Sequence, residues 1–181
     1  YALIGFESLE PENLAQMKKR WNQVSGHYLD VVRALHRRGI GIYGTFVFGY
    51  DRDTPETIRR SLDFALEARL EIANFNPLTP TPGSGLYQRL AQEKRLLSPQ
   101  WWLDPKYRYG DPIFIPRAMS PEMLAQECFE AKRRFYAWSS IARRVLGGDM
   151  PFSGFCTAIT AIANLISRRE IYRKQGRVLG T

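Results

Sequence analysis

The chain has 181 residues and a mass of 20.9 kDa, enough for one domain or one domain with an appendage. Apolar residues make up 44% and charged residues 24%, which excludes whole-chain disorder, a collagen-like repeat and a cysteine-stapled miniprotein. The net charge of +8 is lopsided, since residues 1–90 hold 11 Lys and Arg against 10 Asp and Glu while residues 91–181 hold 15 against 8. The second-half clusters Lys132-Arg133-Arg134, Arg143-Arg144, Arg168-Arg169 and Arg173-Lys174 are either solvated helix faces or a field that attracts phosphates, anionic lipid or an acidic partner. No nucleic-acid-binding module is recognisable, so no nucleic-acid partner is expected.

The first predicted element is the end of a buried strand, Leu3-Ile4-Gly5-Phe6. Tyr1 then falls inside that strand, and the chain is expected to be a piece cut from a longer protein. Pro11 opens a helix whose apolar residues Leu14, Met17, Trp21, Val24, Tyr28, Val31 and Leu35 recur at steps of three and four. Gly39 stops it after the basic turn Arg37-Arg38. His27 and His36 lie in that helix and read as structural or exposed.

A β-rich run follows from Gly41 to Gly49. Asp53 or Thr54 caps the next helix, with Pro55 at its first position, and Ile58, Leu62, Phe64 and Ala65 face inward. A third strand runs from Glu71 to Asn76, a loop rich in Pro, Gly, Thr and Ser from Pro77 to Gly85, and a helix from Leu86 to Lys94. Strands separated by crossover helices are parallel and wind right-handed. Three βα units make half a barrel or half an open sheet, with one edge exposed.

Residues 95–120 are aromatic and proline-rich and read as an ordered lid or connector. From Pro121 one long helix is predicted, with Leu124, Cys128, Ala131, Phe135, Trp138, Ala142 and Val145 on its buried stripe and Gly147-Gly148 at its end. A last helix spans Ser153 to Lys174, apolar early and basic late. The expected organisation is therefore 1–94 as the α/β unit, 95–120 as the connector or lid, and 121–181 as a helical extension.

Only two cysteines occur, Cys128 and Cys156, with no C-x-x-C spacing. This chain alone offers no zinc ribbon, no complete iron–sulfur ligand set and no metal site. Cys128 sits in an apolar helical series and reads as a buried thiol. Free thiols without a secretory signal fit a reducing cytoplasm, and no apolar run reaches the ~18–20 residues that span a bilayer.

In parallel α/β architectures ligands sit at the carboxyl ends of the strands. Three such ends are visible. At the first, Glu7 and Ser8 hydrogen-bond a ribose or an ammonium, or else cap the following helix. At the second, Gly49-Tyr50-Asp51 after the run Gly44-Thr45-Phe46-Val47-Phe48-Gly49, the glycines admit a close backbone or flat ring, or else serve strand and turn geometry. The third, Asn76 to Ser84, is a rigid loop suited to a ligand wall. No Ser/His/Asp arrangement and no complete catalytic constellation is present.

The stretches ALIGFESLEPENLAQMKKR, GIGIYGTFVFGYDRDTPET and NFNPLTPTPGSGLY resemble, in order and spacing, the second half of a radical S-adenosylmethionine (SAM) enzyme of the subgroup that carries a cobalamin-binding domain. The run WWLDPKYRYGDPIFIPRAMSPEML resembles the extension after the barrel in one branch of that subgroup. The resemblance covers about residues 1–145. It implies the carboxyl-terminal three βα units of a (β/α) barrel, S-adenosylmethionine, a [4Fe-4S] cluster on a C-x-x-x-C-x-x-C loop, and cobalamin in members that transfer methyl groups.

Residue by residue, the resemblance implies that Glu7 and Ser8 lie near the ribose and methionine part of SAM. It puts Lys18 or Lys19 at its carboxylate, Gly44 and Gly49 near adenine, and Asn76, Pro82 and Gly83 in the last strand and its turn. Trp101, Trp102, Tyr107 and Tyr109 cover an apolar or flat substrate or pack the extension onto the barrel.

The cysteine motif, the glycine-rich segment for the SAM amino group and the cobalamin domain are absent. The chain alone is expected to be inactive and to need its missing amino-terminal half as a partner. Lipid, tetrapyrrole, peptide and antibiotic substrates all fit, and a dimer through the open sheet edge is a further expectation. The alternative reading is a non-catalytic module whose basic helices dock an anionic membrane surface or a protein partner. A weaker one is a (β/α) enzyme of phosphate substrates, though no phosphate-binding glycine pattern is present.

Overall fold

A computed structural model describes residues 1–16, 28–146 and 154–178. Three strands, β1 (Ala2–Glu7), β2 (Ile42–Phe48) and β3 (Ile72–Pro77), form one parallel sheet in the order β1-β2-β3. Their connections carry α1 (Pro11–Gln16), α2 (Tyr28–His36) and α3 (Pro55–Glu67), and α4 (Gly85–Gln92) follows β3. The fold is thus α/β with a small parallel sheet. Three open strands are compatible with the expected part of a barrel.

The alternation of β2 explains the layering. Ile42, Gly44, Phe46 and Phe48 point to one buried face, while Tyr43, Thr45 and Val47 on the other are only half-buried. On the buried face Phe46 stacks between Phe6 and Phe75, with ring centroids 5.3 and 5.2 Å apart. Phe64 of α3 meets Phe6 edge-on. Gly44 is part of this packing, because a Cβ there would lie 2.7 Å from Leu70 Cδ1 and 3.2 Å from the Phe6 ring.

Thr54 caps α3, in a reciprocal box with Thr57. Ile58, Leu62 and Ala65 are buried and Phe64 partly so. Along α2 the fully buried residue is Val32, where the heptad-like count points to Val31. The predicted Met17, Trp21, Val24 and His27 lie outside the described residues. β1 is less buried than expected: Leu3 is 70% exposed, because β1 is an edge strand of the described sheet.

The predicted long helix is two, α5 (Pro121–Phe135) and α6 (Trp138–Leu146). Side chains take the carbonyls that a continuous helix would use. Phe135 O accepts from Ser140 Oγ and Arg144 Nη2, and Tyr136 O accepts from Arg168 Nη1. The buried stripe therefore holds over Leu124, Cys128, Ala131 and Phe135 and then rotates to Ile141 and Arg144. Trp138 and Ala142 are exposed and Val145 is half-buried. The last helix, α7, is Gly154–Lys174.

The 95–120 segment is ordered by backbone pairing of Leu97 with Ile113 and of Ile115 with Arg95. An ionic cluster of Arg89, Arg95 and Arg117 around Asp51 ties it to the β2–α3 loop. Among the described residues no helix is long and apolar enough to cross a membrane.

Candidate functional site at the carboxyl ends of the strands

The ends of β1 and β2 are joined by a buried polar knot. Asp53 is 1% exposed and accepts at Oδ2 from the amides of Gly49 (2.8 Å) and Tyr50 (2.9 Å). At Oδ1 it accepts from Asn13 Nδ2 (2.7 Å) and Thr57 Oγ1 (3.4 Å). Asn13 also donates to Ser8 Oγ, which accepts from the Glu10 amide as well. Burial, the largest effect, pushes the Asp53 carboxyl up to about 6 against the downward pull of these hydrogen bonds. Burial, then the charges of Glu7 and Asp53, pushes the Tyr50 hydroxyl up to about 12, so it stays neutral.

Several residues singled out from the sequence lie in or beside this knot. Ser8 is buried, and its hydroxyl accepts from the Glu10 amide in the turn before α1 and from Asn13. Gly49 has φ 115°, and a Cβ there would lie 2.8 Å from the Phe114 ring and 3.0 Å from Leu124. It is the point where the connector closes onto the sheet, and only glycine tolerates both demands. Glu7 adopts φ 61° at a bulge where the β1–β2 register shifts. Its carboxylate lies on the half-buried face, beside Gly5 and toward Thr45. Lys18 and Lys19 lie outside the described residues.

The other face of the sheet is polar. Thr45 is paired in register with Asn74 and Val47 with Asn76, and Asn74 donates to the Tyr43 hydroxyl. Asn76 opens at the carboxyl end of β3 into a cavity of about 230 Å³, shared with Pro77, Thr79, Tyr107, Asp111 and Lys132. A second cavity of about 220 Å³ lies beside it, over Asn74, Tyr136 and α7. Tyr109 and Lys132 line both.

Three residues singled out from the sequence, Asn76, Tyr107 and Tyr109, thus converge on one space. Pro82 and Gly83 do not: both are exposed, and Gly83 (φ 83°) makes the turn before α4. Trp101 and Trp102 form an aromatic cluster with Tyr107 (5.9 and 5.1 Å between successive centroids). Trp101 packs on the core and Trp102 is 45% exposed, and neither lines the cavities.

Lys132 is the residue that sequence reasoning missed. It stands four residues after Cys128, inside the apolar stripe, yet it reads as one member of the basic triplet Lys132-Arg133-Arg134. Arg133 pairs with Glu130 on the surface, whereas Lys132 is 6% exposed. Its Nζ lies 5.3 Å from the centre of the Tyr109 ring. Burial pushes its pKa down.

The residues present do not fit an iron–sulfur cluster. Cys128 is buried and its thiol is pushed up to about 12 by burial, the opposite of what a thiolate ligand needs. Among the described residues no group of three or more His, Cys, Asp or Glu could hold a metal ion. The polar face carries one carboxylate (Glu7) and two amides (Asn74, Asn76).

The amino ends of the strands carry a second buried network. Arg144 Nη1 donates to Leu70 O (3.1 Å) and Glu71 O (2.9 Å), and Nη2 to Phe135 O and Asn164 Oδ1 (both 2.9 Å). Glu71 Oε2 accepts from the Ile42 amide (2.6 Å). Strand amino ends in such folds are read as stability sites rather than ligand sites.

No family model matches the chain. It is 33% identical over 152 residues to bacteriochlorophyllide d C-12(1)-methyltransferase of Chlorobaculum tepidum, an alignment that covers 84% of this chain and 32% of that protein. It is 27% identical over 107 residues to anaerobic magnesium-protoporphyrin IX monomethyl ester cyclase of Cereibacter sphaeroides, covering 59% of this chain and 17% of that one. To hopanoid C-2 methylase of Rhodopseudomonas palustris it is 31% identical over 94 residues, covering 52% and 18%. The chain therefore spans about a third or less of the length of these relatives.

Proposed function

The chain is related in sequence to radical SAM enzymes, and from that premise we propose that it forms the carboxyl-terminal part of one. In this reading it contributes the last three βα units of the barrel wall and the substrate side of the site. The observation that carries the reading is the two-sided sheet. A parallel sheet is ordinarily apolar on both faces, yet here one face presents Tyr43, Thr45, Asn74 and Asn76, all half-buried, and Asn74 and Asn76 each line a cavity. That is the wall of a ligand site.

Glu7, Asn74 and Asn76 hold SAM on this face. A [4Fe-4S] cluster would supply the electron that cleaves SAM to methionine and a deoxyadenosyl radical, and its ligands, like the binding site of any cobalamin, would come from outside these 181 residues. The reaction class we favour is methyl transfer, because two of the relatives reported above are named methyltransferase or methylase. The substrate class is a flat or fused ring system, since those relatives are named for bacteriochlorophyllide, a protoporphyrin ester and hopanoid. A monomethyl ester of protoporphyrin IX keeps one of its two carboxylates, so a ring acid is the form we favour.

The basic-helix docking reading has less to stand on. Arg133, Arg173 and Lys174 are paired with Glu130 and Glu170. Arg144 is buried, and Arg168 lies over Trp138.

The test is anaerobic reconstitution of the full-length protein with iron and sulfide, followed by dithionite and SAM. Deoxyadenosine release is expected from that protein and not from residues 1–181 alone. A cluster-loaded full-length protein that releases none would overturn the reading.

A further inference from the structure

A lysine inside a protein ordinarily faces a carboxylate or several acceptors, because an isolated buried ammonium is very costly. Lys132 has neither. Among the described residues it makes no hydrogen bond and has no carboxylate within 4.0 Å. Its Nζ lies over the face of Tyr109, and the buried Cys128 thiol one turn back is neutral. The ammonium opens instead into both cavities at the end of β3.

Their lining says which anion fits. Glu170, in the first cavity, is already paired with Arg173 and Lys174. Asp111 lines the second together with Lys132, so those two charges cancel there and a dianion such as phosphate would leave the cavity more negative than a monoanion does. A monoanion fits that balance. Thr79 and Asn76 supply hydrogen-bonding groups beside it. Tyr107 supplies a hydroxyl that burial, then the charge of Asp111, keeps protonated and able to donate.

Size limits the ligand as well. Cavities of about 220 and 230 Å³ fall short of the roughly 300–1,000 Å³ that enclose a drug-sized molecule. They take an arm of a larger substrate, with its ring left outside.

We propose that Lys132 is a substrate-binding residue whose ammonium receives the carboxylate arm of the ring-shaped substrate, in the paired cavities between α5, the 95–120 connector and the carboxyl end of β3. The proposal rests on the ring-acid substrate class given above. It adds the group that reads the acid and the place where it is read. Tyr109 supports the ammonium from the side, and the anion supplies the partner that the fold withholds.

The experiment compares protoporphyrin IX with its dimethyl ester as probes, titrated into the full-length protein and followed by probe absorbance and fluorescence. Wild type is expected to bind the diacid at least about tenfold more tightly than the ester, the scale of one charged hydrogen bond. K132M is expected to lose that preference, K132R to keep most of it, and SAM affinity to be the same in all three. K132M should melt at or above the wild-type temperature, because an unpaired buried ammonium has gone.

Equal binding of acid and ester by wild type overturns the proposal and needs no variant to show it. So does undiminished diacid binding by K132M. Loss of SAM affinity with retained diacid affinity also overturns it, and would assign Lys132 to the SAM carboxylate. Deoxyadenosine release, measured on the same preparations, tests the radical reading separately. A protein that releases none but keeps the Lys132-dependent acid preference sinks the enzyme and not the site.

Discussion

Asp53 shows how one side chain organises a loop and also makes the molecule sensitive to pH. It holds the Gly49–Tyr50 turn by two backbone amides and links β1 to β2 through Asn13. Its carboxyl is pushed up to about 6, above the ordinary ~3.9 of the unfolded chain. The folded protein therefore binds this proton more tightly than the unfolded one. The stabilisation is present in full below pH ~4 and is lost as pH rises through about 6. It amounts to about 2–3 kcal/mol. Urea unfolding across pH 4–7 should show wild type losing that amount relative to D53N. A difference that is flat with pH would mean that Asp53 titrates normally in the fold.

At the scale of elements, the edge of β3 and the α5–α6 break are one device. The Tyr136 hydroxyl accepts from Ala73 N–H (3.3 Å) and donates to Ala73 C=O (3.0 Å), standing in for a neighbouring strand. That places Tyr136 where helix geometry ends, and Arg144 then gathers the carbonyls of Leu70, Glu71 and Phe135, with its guanidinium 3.9 Å from the Phe135 ring centre. Burial holds the Arg144 pKa down at about 10, so it stays charged. Arg144→Met should take the donor from Leu70 O and Asn164 Oδ1, leave Glu71 O and Phe135 O with only Asn164 Nδ2 and Ser140 Oγ, and cost about 3–5 kcal/mol, read as a fall in the urea midpoint with an unchanged slope. A loss under 1 kcal/mol would show that water replaces the guanidinium there.

For the whole molecule, the asymmetry of the sheet matters most. Its β3 edge is covered by Tyr136. Its β1 edge has no neighbouring strand among the described residues, and Tyr1 and Leu3 are 56% and 70% exposed there. Such an edge is a template for another strand. In the barrel proposed above, a preceding strand would take it. Residues 1–181 alone should self-associate at concentrations on the order of tens of micromolar, and Leu3→Lys should suppress this, because a charge on an edge strand disfavours pairing. Sedimentation velocity reads both. A monomer at every concentration would mean that the β1 edge is blocked some other way.

By itself the sequence determined the order of βα units, the parallel sheet, the cap and inward face of α3, and the resemblance to radical SAM enzymes that its motifs carry. These follow from local periodicity, capping chemistry and motif order, which are properties of neighbours along the chain. It also put Asn76, Tyr107 and Tyr109 among the candidates, though in separate groups. Only the tertiary structure brought those three to one cavity and buried Lys132 beside them. Only it gave Asp53 its loop, Gly49 its contact with Phe114, and α5 its end at Phe135. Each of these depends on a partner 30 to 90 residues away or on a desolvation that no local pattern encodes. Lys132 and Arg133 are adjacent and alike in sequence. One meets Glu130 at the surface and the other is sealed over a cavity, and that difference comes from which side of α5 faces the sheet and the connector.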